Sequence, residues 1–315
     1  MGTFLAIMFL GVARVETKHY IIFNPVAGSR NAQSRLQAQL DALSPTPYTV
    51  LITRDAGDAT RLVREVRAQE AGPLRFYAAG GDGTLGEVAT ALIHTPDAAV
   101  GVWPCGSGND YARMYGGVDR FLDLKQQTTA PTVLVDMIKV NGYAAINVVN
   151  LGLEAHAAAT MMRFRNTPVL GGKRAYWVGA ISAVTKHLNT NCTVHLDGQP
   201  FYEGNLLTAS FASGQYIGGG FHCAPKAVND DGLMDVCAIR PVSRSRLVSL
   251  LGTYKKGGHL DSPDFEGIRL YRRAKRAAIT CQKETVLCLD GEIIRGKQFE
   301  LELLPASVRF ILPGA

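Results

Sequence analysis

The sequence predicts two domains of different class: an α/β domain built on a parallel sheet, then a mainly antiparallel β domain. Three observations predict this. From Lys18 to about residue 132, short β-rich runs alternate with helical stretches, the rhythm of a parallel sheet with helices on its faces. Beyond Val133, strand-like runs follow one another through turn residues, with Asn141-Gly142 and Asp197-Gly198 as hairpin signals. The length of 315 residues exceeds one typical domain, and a hydrophobic content of 47% can fill two cores.

The elements follow in order. A strand over 19–24 (HYIIFN) is stopped by Pro25 and Gly28. A helix over 31–43 places Leu36, Leu40 and Leu43 on one side and is broken by Ser44-Pro45-Thr46-Pro47. A second strand covers 48–53. Asp58 caps a helix over 59–69 that turns Leu62, Val63 and Val66 inward. A third strand, 75–79, runs into Gly80-Gly81-Asp82-Gly83-Thr84 and a helix over 85–93. A fourth, 98–103, ends at Pro104-Cys105-Gly106-Ser107-Gly108. In the second half, strands are expected over 133–140, 143–149, 193–196, 204–213 and 234–241, with a strand-like closing run over 277–310. Helices over 155–165, 175–187 and 245–254 interrupt them.

Charge and cysteine content narrow the function classes. Thirty-three Lys and Arg against 27 Asp and Glu give a net charge of +6, a mild bias toward anionic partners. No apolar run reaches the ~18 residues of a spanning helix. The six cysteines show no C-x-x-C spacing, which argues against zinc and for reduced thiols in a cytosolic protein. The apolar stretch 4–12 has no basic residue before it and no clear cleavage site after it. It reads as a tail or an upstream start rather than a signal peptide.

Three glycine loops sit at successive strand ends, where parallel sheets bind ligands. Gly80-Gly81-Asp82-Gly83-Thr84 leads into a helix, whose free N–H groups and positive dipole end suit phosphate. Asp82 would repel that phosphate unless a magnesium ion lay between them. Gly106-Ser107-Gly108-Asn109-Asp110 and Asn24-Pro25-Val26-Ala27-Gly28 are the second and third loops. Gly81-x-Gly83-x-x-Gly86 matches the dinucleotide fingerprint literally, but the next strand ends Val102-Trp103-Pro104-Cys105 without the acid that binds ribose. Walker A, H-E-x-x-H and G-x-S-x-G patterns are absent from the sequence. Asp290-Gly291-Glu292 reads either as a hairpin turn or as a source of a general base. Asp230-Asp231-Gly232 reads either as a solvated turn or as a hard-cation loop.

With these motifs in order, the chain from Lys18 onward resembles the diacylglycerol-kinase catalytic family, most closely its bacterial soluble lipid kinases. Asn24-Pro25 with Gly28, Gly80 to Thr84 with Glu87, and Pro104-x-Gly106-Ser107-Gly108-Asn109-Asp110 resemble its nucleotide loops. Gly218-Gly219-Gly220, Ala224-Pro225, the run Asp230-Asp231-Gly232-Leu233-Met234-Asp235-Val236 and Asp290-Gly291-Glu292 resemble its second-domain motifs.

The resemblance implies a Rossmann-like first domain shared with NAD kinases and ATP in the cleft between domains. It implies ATP contacts from Asn24, Pro25, Val26, Ala27, Gly28, Thr53, Gly80, Gly81, Asp82, Gly83, Thr84, Leu85, Gly86 and Ser107. Asp231 with the carbonyls of Val228 and Leu233 would hold a structural magnesium, and Asp82 would lie near a catalytic one. Glu292 or Asp290 would be the base. The expected limits are a tail at 1–17, a nucleotide domain at 18–132 and a lipid and metal domain at 133–306. A strand at 307–312 would return to the first domain. Four positions depart from the family pattern: Gly86 for Asn, Ser107 for Thr, Tyr111 for Phe and Glu154 for Asp.

The expected activity is ATP- and magnesium-dependent phosphorylation of a lipid hydroxyl such as that of diacylglycerol. An NAD-kinase-like enzyme and a non-catalytic nucleotide or lipid sensor are the alternatives. A lipid substrate calls for peripheral contact with an anionic membrane at the inner face. Arg269 to Arg276, Met162 to Arg165 and Lys173 to Trp177 are the basic and aromatic candidates for that contact. No nucleic acid partner is expected, and a homodimer is left open.

Overall fold

The computed structural model describes residues 16–28, 31–164 and 189–314. The expected helix over 175–187, the aromatic-basic stretch 173–177 and nearly all of the tail lie outside the described residues.

Strands β1 (Lys18–Phe23), β2 (Thr49–Ile52), β3 (Leu74–Gly80) and β4 (Ala98–Pro104) pair in parallel in the order β2-β1-β3-β4. Successive side chains of a strand point to opposite faces, and both faces here are covered. Tyr77, Ala79 and Trp103 pack under α1 (Ala32–Asp41) through Leu36 and Leu40. Phe76, Ala78, Val100 and Val102 pack under α2 (Asp58–Gln69) and α3 (Asp82–Ala91) through Val63, Leu85 and Val88. This double cover explains why the strands read as unbroken apolar runs. Helix α3 starts at Asp82, three residues before the expected point, so the glycine loop is itself its first turn. Short helices α4 (Asp110–Arg113) and α5 (Leu124–Thr129) follow β4, the latter capped by Asp123, which accepts from the Gln126 N–H.

The second half contains β5 (Thr132–Val140), β6 (Tyr143–Ala145), β7 (Val148–Gly152), α6 (Leu153–Phe164), β8 (Thr190–Leu196), β9 (Gln199–Leu206) and β10 (Thr208–Ala212). It continues with the two-residue strands β11 (Tyr216–Ile217) and β12 (Phe221–His222), then β13 (Met234–Ile239) and α7 (Arg244–Lys255). It closes with β14 (Arg269–Ala274), β15 (Arg276–Leu289) and β16 (Glu292–Ile311). The β10–β13, β7–β10, β7–β15, β8–β15 and β15–β16 pairings are all antiparallel. The fold class is therefore the one read from the sequence.

Three differences have physical causes. The single run over 143–149 is two strands, because the N–H groups of Ile146, Asn147 and Val148 bond to the Asp290 carboxylate instead of to a neighbouring strand. The run over 204–213 is likewise split between β9 and β10. The basic segment at 269–274 is an edge strand, β14, paired only with β13. Basic side chains are common on exposed sheet edges because they resist edge-to-edge pairing, and they mask the strand pattern in the sequence.

The 20-residue β16 links the halves. Its first part pairs with β15 and its later part with β5, and Phe310 pairs in parallel with Val100 of β4. Above this seam, Gly219 N–H donates to Asp110 Oδ2 at 2.9 Å, and Asn229 Nδ2 donates to the hydroxyls of Tyr111 and Tyr115 at 2.7 and 2.6 Å. The hydroxyl that distinguishes Tyr111 from the expected phenylalanine is thus a tie between the halves.

Candidate functional site

The three glycine loops meet backbone to backbone. A β-carbon at Gly28, where φ is +82°, would lie 1.9 Å from the Cys105 carbonyl oxygen. One at Gly106 would lie 2.4 Å from the Gly81 α-carbon. Cys105 and Gly106 N–H groups both donate to the Gly80 carbonyl, at 2.9 and 3.1 Å. Asn24 Nδ2 donates to Thr84 Oγ1 at 3.1 Å, and Asn24 Oδ1 accepts from Val26 N–H at 3.1 Å. Asn24, Pro25, Val26 and Gly28 thereby border Gly80 to Thr84 and Ser107 along one rim. Thr53 is fixed at the end of β2 by its N–H donating to Phe23 O at 2.9 Å. Ala27 and Leu85 turn their side chains into the core, so only their backbones can serve the site. Gly83 is exposed while Gly86 is buried against the Asp290 carboxylate, 3.5 Å from where its β-carbon would be.

Asp82 lies in the first turn of α3, and its Oδ1 accepts from Tyr111 N–H at 3.0 Å. Burial pushes its pKa up. Asp110 faces it, 5% exposed, its pKa pushed to about 7 by burial and then by the neighbouring Asp82 charge. Asp110 Oδ1 is a buried oxygen with no hydrogen-bond donor, although the Arg113 guanidinium stands 3.4 Å away. Asp82 Oδ2 and Asp110 Oδ2 each lie 3.0 Å from where a β-carbon at Gly108 would be, so the two carboxylates border one glycine and offer oxygen ligands of the kind a hard divalent cation takes. Magnesium commonly takes one or two protein carboxylates and completes its shell with water and phosphate. Among the described residues no three His, Cys, Asp or Glu side chains cluster as a metal cage. Sequence reasoning placed Asp110 at the end of a glycine loop and missed its proximity to Asp82.

Asp290 and Glu292 occupy the turn between β15 and β16, with Asp290 at φ +49° and Gly291 at φ +99°. The two carboxylates have different work. Asp290 Oδ2 accepts from Ile146 N–H at 2.7 Å, and Oδ1 from Val148 N–H at 2.9 Å, with Asn147 N–H shared at 3.2 Å. Burial nonetheless outweighs these donors and lifts its pKa to about 7. Glu292 is exposed, and its pKa is raised by partial desolvation and then by Glu87. Glu87 is fixed at the start of α2, accepting from Gly57 and Ala59 N–H groups at 2.9 and 3.1 Å. Glu292 is therefore the one of the two carboxylates without a fixed backbone clasp, and Asp290 anchors the turn that precedes it.

The second cation loop is different. Asp231 Oδ1 accepts from Leu233 N–H at 3.1 Å, and its Oδ2 is ion-paired with Arg273. Arg273 also reaches the fully buried Asp235, Nε to Oδ2 at 3.4 Å. Asp136 holds the loop from beneath, accepting from Gly232 and Ala306 N–H groups at 2.8 and 2.7 Å. Asp231 is thus ion-paired with Arg273 at the position where the sequence suggested a magnesium ligand, and Val228 is exposed. Sequence reasoning missed Arg273, which lies 42 residues away from Asp231. Glu154, the remaining departure, accepts from Thr208 and Ser210 hydroxyls at 3.1 and 3.2 Å and from Tyr254 at 2.5 Å.

Comparison with known proteins accords with this geometry. Residues 18–140 match the model of the diacylglycerol kinase catalytic domain, and residues 147–312 that of the YegS C-terminal NAD kinase beta sandwich-like domain. The chain is 30% identical over 298 residues to the "Probable lipid kinase YegS-like" of Pseudomonas aeruginosa PAO1, covering 93% of each chain. It is 30% identical over 271 residues to the "Probable lipid kinase YegS" of Escherichia coli O6:K15:H31 strain 536, covering 84% of this chain and 86% of that one. A crystal structure of a candidate diacylglycerol kinase from Bacillus anthracis strain Sterne superposes with a TM-score of 0.73 at 26% identity, over 94% of this chain and 97% of that one.

Proposed function

This chain belongs to the diacylglycerol kinase catalytic family, in its YegS-like branch of lipid kinases, and from that premise we propose that it phosphorylates a lipid hydroxyl with ATP and magnesium. The proposed acceptor is the free hydroxyl of diacylglycerol or of a similar lipid. The observation that carries the reading is the meeting of three glycine loops over the Asp82–Asp110 pair, with Glu292 on the facing turn.

Phosphoryl transfer needs positioning, charge neutralisation and an acceptor for one proton. The N–H groups of the first turn of α3 would bind the phosphates, and the missing side chains of Gly81 and Gly106 let their two loops pack backbone to backbone beside that turn. Asp82 and Asp110 would hold magnesium, which when bound offsets the charge of the phosphates. Glu292 takes the proton of the lipid hydroxyl as its oxygen bonds to the γ-phosphorus and the bond to the β-phosphate oxygen breaks, leaving ADP. Asp290 keeps that turn in register against Ile146 to Val148.

The test is incubation with γ-labelled ATP, magnesium and a total lipid extract, with Asp82→Ala as control. Label in an organic-soluble product for the wild type alone supports the reading and identifies the acceptor. ATP binding without labelled lipid overturns it, and labelled NADP from NAD in a parallel reaction would reassign the chain.

A further inference from the structure

A kinase of bilayer lipids has to sit on a bilayer, and the basic segment singled out in the sequence is poorly placed to hold it there. Arg269 and Arg272 donate to the carbonyls of Ser262 and Pro200, Arg273 pairs with Asp231 and Asp235, and Arg276 pairs with Glu302. Those charges are engaged within the fold.

Helix α7 instead combines basic residues with an exposed apolar flank. Its buried side, Leu247 and Leu250, packs into the domain. One flank of it, at the spacing i, i+4, i+7, i+11, presents Arg244, Val248, Leu251 and Lys255. Val248 is 69% and Leu251 44% exposed, the former among the most exposed large apolar side chains described. The residues beside them, Ser245, Ser249 and Gly252, are small, so nothing holds a flat surface away. Residues 244–256 contain four basic and no acidic side chains. The nearest acids in the chain, Asp261 and Asp264, are paired with Lys226 and Arg246. The end of α7 also adjoins the candidate site: Lys255 Nζ lies 5.5 Å above the Phe221 ring. Phe221 belongs to the β11–β12 hairpin, whose Gly219 bonds Asp110.

We infer that this flank of α7 docks on an anionic phospholipid bilayer, with Val248 and Leu251 entering the headgroup–acyl boundary and the exposed Lys255 and Lys256 at its C-terminal end on lipid phosphates. Exposed apolar residues flanked by basic ones are the pattern of a peripheral membrane helix. The inference rests on the lipid-kinase reading only for its motive. Its test needs no catalysis.

Full-length protein is sedimented with vesicles of phosphatidylcholine alone or with added phosphatidylglycerol, free of diacylglycerol and nucleotide. Binding is expected only with phosphatidylglycerol, and it weakens as salt rises above about 0.1 M. The double variant Val248→Asp/Leu251→Asp is expected to lower the partition coefficient roughly tenfold or more while keeping its melting temperature. Val248→Ser/Leu251→Ser serves the same purpose if the aspartates disturb folding. Wild-type protein that ignores anionic vesicles, or variants that bind as wild type, would overturn the inference. A wild-type dimer that either variant dissolves would also overturn it, by assigning the flank to a protein contact. A kinase-dead protein that still binds in this manner leaves the inference standing and the kinase reading fallen.

Discussion

Asp82 and Asp110 flank Gly108 so closely that a β-carbon there would lie 3.0 Å from a carboxylate oxygen of each. A pair held this way is stable when a cation or a proton lies between them, and the glycine is what permits the approach. Asp110→Asn is expected to fold but to lose activity on the order of 10²-fold or more, since one charged ligand oxygen is gone. The magnesium concentration giving half-maximal rate should rise in the same variant. Initial rates across a magnesium series check both, and an unchanged magnesium optimum would remove Asp110 from this role.

The turn carboxylates separate by what each mutation breaks. Asp290→Ala strands the N–H groups of Ile146, Asn147 and Val148 and is expected to cost on the order of 2–4 kcal/mol in urea unfolding. Glu292→Gln, on an exposed side chain, should keep stability within about 0.5 kcal/mol and lower kcat by ~10²–10⁴-fold. Full turnover in Glu292→Gln would require another base.

Two glycines with the same backbone angle make a controlled comparison. Gly28 has φ +82° and Gly57 φ +83°, but a β-carbon at Gly28 strikes the Cys105 carbonyl while one at Gly57 meets nothing within 4 Å. Gly57→Ala should cost about 1 kcal/mol, the conformational penalty alone. Gly28→Ala must also move the loop and should weaken nucleotide binding well beyond any loss of stability. Calorimetric ATP titration alongside thermal melts separates the two effects.

His259 supplies a pH signature. It is 1% exposed, and burial lowers its pKa to about 4. A folded-state pKa below the unfolded value means that its neutral form stabilises the fold fully above about pH 6.5. That stability is lost as pH falls from there toward 4, by on the order of 3 kcal/mol. The His259→Phe variant should lack this component. The difference between wild-type and variant unfolding free energies at pH 7.5 and 4.5 measures it, and parallel pH curves would refute it.

The parallel strands were legible because strands covered on both faces must be apolar throughout. The glycine loops were legible because Gly28, Gly80 and Gly106 stand where a β-carbon would collide with backbone or with Thr84. The roles of the acids were not. Asp290 bonds N–H groups as far as 144 residues away, and nothing local distinguishes a clasp of that kind from a hairpin turn. Asp231 looked like a cation ligand because its competitor Arg273 is on another strand. Asp110 reads as one more residue of a glycine loop until the sheet brings that loop beside Asp82. Strand β14 was hidden by its own arginines.

Strand β16 has a consequence for how the protein is made. The outer edge of β4 receives its parallel partner only when Phe310 arrives, about two hundred residues after Val100 has left the ribosome. At ~5–20 residues per second, a nascent chain passes on the order of ten seconds or more with that edge open. The first half is therefore finished by a segment made long after it. Removing residues 307–312 should damage the nucleotide loops before it damages the sandwich beside them.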